Sequence, residues 1–541
     1  MPSFSSLFLS TLTIAVSLAQ AHCSTINWRP CEFNGTRPIL CGNLSVPLDY
    51  TDAKSNATLR LELVKVPAAK TPSKGSILFN FGGPGEEAQQ TMAQVAAELQ
   101  ILTGGHHDLI AFDPRGTGKT MVVSCYQTDI ERLVGSLQAP GWSNASDAAL
   151  GTQWATSQLL AESCLANAAD VGTLVGTAFV ARDMMQIVDA LGEDGMLRYW
   201  GLSYGTVLGA TVAAMFPDRM DRIMLDGVLN PFEYYHGYDI EMLTDTDKTF
   251  AGFISGCVAA PDQCALARDN ATAADLEKTI SDLIDTLKYN PVALGGILID
   301  YSLIKEVILG YLYSPLAWDE LAGGLNGLIT GNITALAEFA EAFGARPQGI
   351  AAESYPAIKC ADNAVRATTL ADVRPAVDEL YAKSRYGGDK ISAIAVRCAQ
   401  WRMDAKERYS GDFRVKTRNP VLLVGNTLDP VTPLVSARNV SEAFEGSVVL
   451  QHDGYGHSSL AQASICTTKA IRNFFINGTM PEPGTICKVD TPLFSNKTWQ
   501  DVLPPIQRVR RSISARDDDD AALLRAASVA GKKLLRPSRF V

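Results

Sequence analysis

Short apolar runs recur along the chain, and segments with helical periodicity separate them. The runs are three to five residues long and end in turn or polar residues: Ile77–Phe81, Leu109–Phe112, Leu197–Trp200, Ile223–Leu225, Val421–Val424 and Val448–Leu450. Runs of this kind are typical of parallel strands buried on both faces, whereas Leu59–Val66 alternates like an antiparallel strand with one solvated face. Helical segments such as Phe179–Leu191 and Gly205–Phe216 lie between them. This alternation predicts an α/β fold with a mostly parallel sheet flanked by helices.

The alternation of strands and helices is interrupted once. It stops near Pro231 and resumes near Pro420, and the residues between carry helical patterns. We therefore predict a helical lid inserted at residues 231–418, between core segments at 22–230 and 419–505. An insertion between two strands of one parallel sheet would cover the carboxyl ends of the strands.

Both ends of the chain differ from its body. Met1–Ala21 contains a twelve-residue apolar run followed by Ala19-Gln20-Ala21, which is the pattern of a cleaved secretory signal peptide. A buried N-terminal helix is the alternative. Residues 506–541 have weak apolar periodicity and a basic surplus, which predicts a disordered tail. Arg510-Arg511 within it is a candidate cleavage site, and a retained, solvated tail is the alternative.

Charge and cysteine content narrow the class of protein. The chain has 47 Lys and Arg against 58 Asp and Glu, a net charge of −11, which argues against a nucleic-acid partner. No run of 18 or more apolar residues occurs, so we predict no membrane span. Ten of the eleven cysteines lie between Cys31 and Cys487 in locally spaced pairs, which favours an oxidising compartment. With no Cys-x-x-Cys spacing or His/Cys cluster, we expect neither a metal site nor an organic cofactor.

Potential glycosylation sites agree with export from the cell. Nine Asn-x-Ser/Thr sequons are present, and each predicts a surface loop in a secreted protein. The acceptor residues are Asn34, Asn43, Asn56, Asn144, Asn270, Asn332, Asn439, Asn477 and Asn496.

The clearest chemical motif is Gly201-Leu202-Ser203-Tyr204-Gly205. It follows the apolar run Leu197–Trp200 and opens a helical segment, so it is a G-x-S-x-G motif placed between strand and helix. In that context the serine lies on a sharp turn, as the nucleophile of an α/β-hydrolase fold does. We predict that Ser203 is the nucleophile.

A nucleophilic serine needs a base, and the base needs a carboxylate that orients it. The chain order in this fold is Ser, then Asp or Glu, then His. His452 and His457 are the candidates after the resumed sheet; His457 lies in a glycine-containing loop that favours it, whereas His452 follows a strand directly. Asp429 is the acid in the loop that follows Val421–Val424, and we predict it as the orienting carboxylate.

Two glycine-rich turns follow the first strands of the predicted parallel sheet. Gly82-Gly83-Pro84-Gly85 ends the first of them, and it predicts an oxyanion hole formed by the backbone amides of Gly83 and Tyr204. Asp113–Gly118 ends the next, and we interpret Arg115 there as one half of a structural ion pair beneath the loops of the site.

These motifs resemble those of the tripeptidyl aminopeptidase-like branch of the α/β-hydrolases, relatives of the prolyl iminopeptidases. Matching segments are spread over about residues 28–490: Cys41–Tyr50, Gly82–Gly85, Asp113–Gly118, Gly201–Gly205, Asp226–Val228, Cys360–Asp362, Cys398–Trp401, Asn426–Pro433 and Gly456–Cys487. The resemblance implies a serine exopeptidase with its triad on Ser203, Asp429 and His457. The family pattern usually continues the glycine turn with Gly and Ser, whereas Glu86-Glu87 stands here. These two acids either alter the preferred substrate charge or start the next helix, and we favour the helix start.

Ten cysteines allow many pairings, so sequence alone does not determine the disulfides. Local spacing, together with the resemblance for the last pair, predicts Cys31–Cys41, Cys125–Cys164, Cys257–Cys264, Cys360–Cys398 and Cys466–Cys487. Cys23 is left over, two residues after the predicted signal cleavage site.

The sequence therefore predicts a secreted serine hydrolase that acts through an acyl-enzyme. The resemblance favours cleavage of peptide bonds near a free N-terminus. One alternative is an esterase or lactonase that acts on a small-molecule ester, and another is a non-catalytic binding protein on a hydrolase fold. The intact triad argues against the second alternative.

An exopeptidase has to recognise the α-ammonium group of its substrate, and a partly buried cation needs anionic partners. The predicted lid is rich in acids. We select Glu233, Glu241 and Asp362 as candidates to bind the ammonium, although any one of them alone fits a solvated surface acid equally well.

Overall fold

The computed structural model describes residues 25–33, 37–267, 271–294, 296–332, 351–495 and 515–535. The predicted signal peptide Met1–Ala21, Cys23 and the pair Arg510-Arg511 lie outside the described residues, as do the sequons at Asn34, Asn270 and Asn496.

A single ten-stranded sheet forms the core of the described chain. Its strands in chain order are β1 Arg29–Pro30, β2 Leu40–Pro47, β3 Thr58–Val66, β4 Ser76–Asn80, β5 Asp108–Phe112, β6 Leu197–Leu202, β7 Met220–Asp226, β10 Leu422–Leu428, β11 Val448–Tyr455 and β12 Ile486–Lys488. Their spatial order is β1-β2-β3-β5-β4-β6-β7-β10-β11-β12. The first three strands pair antiparallel and the pairings from β5 onward are parallel. The central strands β4 and β6 are buried along their whole length, as their continuous apolar runs predict.

Helices cover both faces of this sheet. Those of the core are α1 Ala88–Leu102, α2 Asp129–Gln138, α3 Ala149–Gly172, α4 Thr177–Leu191, α5 Tyr204–Met215, α14 Leu434–Ala443, α15 Ile465–Asn477 and α16 Ala515–Leu534. One core cluster includes residues of α4 and α5, and a second includes residues of α1, α15 and α16. Family resemblance and pattern predicted an α/β-hydrolase fold, and the sheet with its flanking helices confirms it.

The chain between β7 and β10 is helical, as its periodicity predicts. It contains α6 Pro231–His236, α7 Thr246–Ala259, α8 Ala273–Tyr289, α9 Tyr301–Leu312, α10 Trp318–Thr330, α11 Ala351–Asp362, α12 Leu370–Lys383 and α13 Gly388–Ala399. A small antiparallel hairpin, β8 Val292–Leu294 and β9 Ile297–Ile299, interrupts them. Residues of α7 to α10 form a hydrophobic cluster of their own. We call this inserted part the lid.

The C-terminal residues differ from the sequence prediction. A disordered tail was expected at 506–541, but residues 515–534 form α16, whose Leu523, Leu524 and Ala530 are fully buried. The acidic run Asp517–Asp520 lies in the first turns of this helix. Asp519 and Asp520 pair there with Arg472 and Lys469 of α15. Much of the buried face consists of alanines, and for this reason it gives a weak apolar signal in the sequence. The prediction of disorder is therefore wrong for residues 515–534.

The structure contains all five predicted disulfides. They are Cys31–Cys41, Cys125–Cys164, Cys257–Cys264, Cys360–Cys398 and Cys466–Cys487. Cys360–Cys398 joins α11 to α13 within the lid, and Cys466–Cys487 joins α15 to the edge strand β12. Each bridge closes a loop of fewer than forty residues and so restricts the unfolded chain locally.

Five of the described sequon asparagines, Asn43, Asn56, Asn144, Asn332 and Asn477, are exposed. Asn439 is half-buried, and its side-chain amide donates to Glu241 Oε2 at 2.6 Å. Glycosylation of the exposed positions remains a prediction.

One helical stretch among the described residues, Ala149–Leu191, is long and apolar enough to cross a membrane by length and composition. It comprises α3 and α4, and 61% of its most apolar window is buried inside the fold.

Arg115 lies beneath the loops at the carboxyl ends of the strands, as predicted. Its guanidinium is fully buried, forms a two-point ion pair with Asp183 of α4 at 2.7 and 2.9 Å, and donates to the carbonyl groups of Pro47 and Leu48. Tyr50 donates its hydroxyl to the same carboxylate at 2.8 Å. The pair thus ties the antiparallel edge of the sheet to α4.

Removal of the Asp183 carboxylate should destabilise the fold strongly, because it leaves the Arg115 cation buried without a partner. We expect Asp183→Ala to lower the free energy of unfolding by about 3–5 kcal/mol. The exposed pair between Asp189 of the same helix and Arg219 provides the control. Asp189→Ala should cost about 1 kcal/mol or less in urea unfolding of the purified protein. Equal effects of the two substitutions would contradict a structural role for the buried pair.

Candidate active site

Ser203 lies at the turn between β6 and α5 in a conformation that few residues adopt. Its φ is 56° and its ψ is −125°, and its N–H donates to the carbonyl of Asp226 at 3.1 Å. The turn is possible because two neighbouring residues lack a side chain. A Cβ at Gly201 would lie 2.3 Å from the Gly205 carbonyl oxygen, and a Cβ at Gly205 would lie 2.6 Å from the carbonyl oxygen of Asn80. This strained backbone conformation projects the Ser203 side chain away from the edge of the sheet.

The glycine turn after β4 approaches Ser203 closely. Gly82 has a φ of +104°, and a Cβ there would lie 2.8 Å from the Cβ of Ser203. Asn80 holds this turn by accepting the Gly82 N–H on Oδ1 at 3.0 Å. Gly83 faces the cavity that Ser203 lines. The amide of Tyr204 is the first of α5 and so has no acceptor within its helix. These are the two amides predicted as oxyanion donors: Tyr204 follows Ser203 directly in the chain, and Gly83 lines the same cavity as Ser203.

Asp429 is fully buried and surrounded by donors. It accepts the backbone N–H groups of Val431 at 3.0 Å, Thr432 at 2.8 Å and Ser458 at 2.9 Å, as well as the Thr432 hydroxyl. A buried carboxylate with this many donors is held in one orientation. Three of these four donors come from the loop after β10 and one from the loop that carries His457, so the carboxylate joins the two loops.

His457 is held on three sides. Its Nδ1 lies 3.1 Å from Asp429 Oδ2 and 3.0 Å from the hydroxyl oxygen of Thr432. Its backbone N–H donates to the carbonyl of Tyr313 in the lid at 2.9 Å, and the Tyr313 ring packs edge-on against the imidazole at 4.9 Å between centroids. With Nδ1 engaged by the carboxylate, Nε2 is the ring nitrogen left for chemistry.

A second buried aspartate lies directly beneath the site. Asp226 ends β7, and its side chain accepts the backbone N–H and the hydroxyl of Ser459 at 2.8 and 2.7 Å. Burial raises the pKa of this carboxyl to about 6. Because its own carbonyl accepts the Ser203 N–H, Asp226 connects the serine turn to the histidine loop.

Ser203 and His457 line one cavity of about 680 Å³ between the sheet edge and the lid. Phe81 and residues 83–87, in and beside the glycine turn, form one side of it, and the lid helices α9, α11 and α13 form another. The lid contributes charged residues, of which Asp239 pairs with Lys359 at 2.8 Å and Glu306 pairs with Lys390. The last residues of α16 line the cavity as well.

Comparisons with known proteins agree with this architecture. Residues 76–266 match the alpha/beta hydrolase fold family, and residues 384–487 match the TAP-like protein family. The chain is 27% identical over 493 residues to the serine protease Hip1 of Mycobacterium tuberculosis, with 85% of this chain and 91% of that protein covered. It is also 27% identical over 485 residues to the tripeptidyl aminopeptidase of Streptomyces coelicolor, with 86% of each chain covered.

The chain is thus similar to the tripeptidyl aminopeptidase-like α/β-hydrolases over most of its length. Its two matched regions contain the glycine turn and Ser203 in the first, and Asp429 and His457 in the second. A third relative, carboxylesterase B of Mycobacterium tuberculosis, is 27% identical over 485 residues, with 85% of this chain and 89% of that protein covered. The relatives of this protein therefore carry both peptidase and esterase names.

The structure separates the two histidines that the sequence left as candidates. His452 is fully buried in β11, away from the cavity, and its Nδ1 lies 2.9 Å from the hydroxyl oxygen of Thr467. Burial lowers the pKa of this imidazole to about 4. His452 therefore contributes to the packing of the sheet and has no contact with the described cavity.

The three acids predicted to bind a substrate ammonium do not line the cavity, and this part of the prediction is wrong. Asp362 is fully buried and accepts the Thr177 N–H and hydroxyl and the Tyr234 hydroxyl. Glu233 accepts the backbone N–H of Glu241, whose own carboxylate is bound by side chains of α14. Sequence neighbourhood did not reveal these partners, because they lie 8 to 198 residues away along the chain. The described acids that face the cavity are Glu86, Glu87, Asp239 and Glu306.

For Glu86-Glu87 the sequence predicted either a start of the next helix or an effect on the preferred substrate charge, and both residues line the cavity. Glu87 is the N-cap residue of α1, so the predicted helix start is present. Glu86 is half-buried and lines the cavity beside the glycine turn.

Sequence reasoning missed three residues that hold the site. Asn80, Thr432 and Tyr313 position the glycine turn, the carboxylate and the imidazole respectively. Asn80 and Thr432 lie within two or three residues of predicted site residues, so their polar side chains were a usable signal. Tyr313 belongs to the lid, and no feature of the sequence pointed to its contact with His457. Among the described residues, no group of three or more His, Cys, Asp or Glu is arranged to hold a metal ion.

The closeness of Gly82 to Ser203 leads to a test of the site's geometry. A Cβ at Gly82 would push the glycine turn away from the serine and displace the predicted oxyanion donors. We expect Gly82→Ala to lower kcat for a chromogenic ester by about 100-fold, as loss of one oxyanion donor does.

The control for this test is Gly484→Ala. Gly484 also has a positive φ, +81°, but no atom lies within 4 Å of the added Cβ. The Gly484→Ala variant should lose some stability and keep the kcat of the wild type. A similar loss of kcat in both variants would show that backbone strain, rather than the contact with Ser203, accounts for the effect.

Proposed function

We propose that this protein is a secreted serine exopeptidase that cleaves peptide bonds near a free N-terminus through an acyl-enzyme. The observation that carries the proposal is the strained Ser203, which shares one cavity with an imidazole whose Nδ1 faces a fully buried carboxylate. Secretion is supported by the five disulfides and by the predicted signal peptide.

In the proposed mechanism His457 Nε2 takes the proton of Ser203 as the serine oxygen attacks the substrate carbonyl. Asp429 keeps the imidazole oriented and stabilises its cationic form. The amides of Gly83 and Tyr204 donate to the oxyanion of the tetrahedral intermediate. His457 then protonates the leaving amine, and the same residue activates the water that hydrolyses the ester to Ser203.

Peptide cleavage is favoured over ester cleavage by the relatives named as a serine protease and a tripeptidyl aminopeptidase. An esterase acting on a small-molecule ester is the second candidate, because a relative named carboxylesterase B matches the chain with the same identity. The acyl-enzyme chemistry serves both reactions, so substrate recognition decides between them.

The substrate ammonium requires an acid that lines the cavity. We propose Asp239 and Glu306 of the lid for this role, because both line the cavity, where each is also paired with a lysine. Glu86, which also lines the cavity and lies beside the glycine turn, is the alternative acid for an amine close to the scissile bond.

Replacement of the nucleophile provides the first test. We expect Ser203→Ala to fold and be exported, to lose labelling by a fluorophosphonate probe, and to reduce kcat by about 10⁶-fold. Ser458 is the matched control, because it lines the same cavity and its hydroxyl has no hydrogen-bond partner among the described residues. Ser458→Ala should still be labelled. Loss of labelling in that variant and not in Ser203→Ala would assign the nucleophile to Ser458.

The second test concerns the substrate's amino end. We expect N-acetylation of a tripeptide chromogenic substrate to lower kcat/KM at least tenfold, because the substrate then lacks the ammonium group that binds the lid acids beside Lys359 and Lys390. Asp239→Asn or Glu306→Gln should remove most of this preference. Glu233→Gln, a lid acid that does not face the cavity, should keep it. An unchanged kcat/KM on acetylation would favour the esterase, and a loss of preference only in Glu86→Gln would place the amine at the glycine turn.

A further inference from the structure

The C-terminal helix α16 is built into the core of the protein. It packs against α1 and α15, and its apolar face is buried in the same cluster as β4, α1 and β6. The buried residues of this face recur at helical spacing: Leu523, Leu524, Ala526, Ala527, Ala530 and Leu534. A helix buried in this way contributes to whatever surface lies at its end.

The C-terminal end of α16 reaches the cavity that contains Ser203. Leu534 and Leu535 are buried to more than nine-tenths and line the cavity that also contains Ser203. Two other apolar residues, Phe81 and Leu202, line the cavity and pack in the same cluster. Phe81 precedes the glycine turn and Leu202 precedes Ser203. The four side chains therefore form one apolar wall of the cavity that contains Ser203. The lid contributes charged pairs as well as apolar residues such as Leu309 and Ile391.

Close contacts hold the end of α16 in place. A Cβ at Gly531 would lie 2.0 Å from the carbonyl oxygen of Leu460, three residues after His457, so only glycine allows this approach. Lys533 Nζ donates to Glu98 Oε1 and to the Gln94 carbonyl of α1, each at 2.8 Å. The helix end is thus attached to the histidine loop and to the helix that follows the glycine turn.

We propose that Leu534 and Leu535, with Phe81 and Leu202, form a subsite that binds an apolar group next to the scissile bond. The group is an aliphatic side chain of a peptide or the acyl chain of an ester. The proposal rests on Ser203 as nucleophile, because that role makes the wall adjacent to the scissile carbonyl. A wall of apolar side chains without hydrogen-bond donors favours substrates that bury more apolar surface against it. Each further methylene group of the substrate in such a pocket changes kcat/KM by about tenfold or more.

The test measures selectivity rather than activity. The full-length secreted protein and its Leu534→Ala/Leu535→Ala variant are compared on p-nitrophenyl acetate, butyrate and octanoate, and on peptides with Ala or Leu on either side of the scissile bond. We expect the ratio of kcat/KM for long over short groups to fall at least tenfold in the variant, in the ester set or in one peptide set. The value for the acetate ester should stay within about threefold. The affected peptide set shows on which side of the bond the group lies.

Two control variants separate a subsite from a structural role. Leu524→Ala removes an equally buried leucine of α16 that does not line the cavity, and Lys532→Ala alters an exposed residue of the same turn. Both should keep the wild-type ratio, although Leu524→Ala lowers the melting temperature. If the double variant fails to fold, the single Leu535→Ala variant is measured in the same way.

The proposal is overturned if the ratio does not change in either substrate set, or if Leu524→Ala changes it equally. Failure of the proposed nucleophile would look different, because then the wild-type protein would not be labelled at Ser203 by the fluorophosphonate probe. Normal labelling with unchanged selectivity would thus reject the subsite alone.

Discussion

The close approach of the glycine turn, the serine turn and β4 at Ser203 is the constraint on which the rest of the site depends. Ser203 has a positive φ, and the glycines at 82, 201 and 205 are the positions where any Cβ would collide with backbone or with the serine itself. A conformation of this kind costs about 1–3 kcal/mol and persists only where the surroundings hold it. Here the surroundings are the buried strands β4, β6 and β7, whose ends cannot move independently of one another.

Two buried aspartates connect this rigid edge to the histidine loop. Asp226 accepts Ser459 while its carbonyl accepts the Ser203 N–H, and Asp429 accepts Ser458 while facing the imidazole. The serine and the histidine, which are 254 residues apart in the chain by their numbers, are therefore positioned by a short series of hydrogen bonds. A carboxylate in a low-dielectric interior is tolerated only with such partners. The same donors that satisfy the charge also determine the geometry of the site.

The cavity is closed by parts of the chain that are remote from the motifs. The lid touches the imidazole through Tyr313 and brings charged pairs over the serine, and α16 supplies an apolar wall on the side of the sheet. The lid lining combines these charged pairs with apolar residues such as Leu309 and Ile391, and Leu534 and Leu535 add aliphatic side chains from the C-terminal helix. In the proposed function, substrate recognition depends on these segments and acyl transfer depends on the sheet edge.

The sequence by itself determined the features that are local. Apolar runs specified the buried strands, the glycines specified the turns, and Ser203, Asp429 and His457 could be selected because each follows a strand end in a known order. Local spacing, with the family resemblance for the last pair, predicted the disulfides, since each bridge closes a loop of fewer than forty residues. Only the tertiary structure decided which lid acids face the cavity. Glu241 and Asp362 are bound by partners far away in the chain, and pattern reasoning has no access to such contacts, while Glu233 accepts the backbone N–H of Glu241. The same holds for α16, whose small buried side chains carry little apolar signal until they pack against α1 and α15.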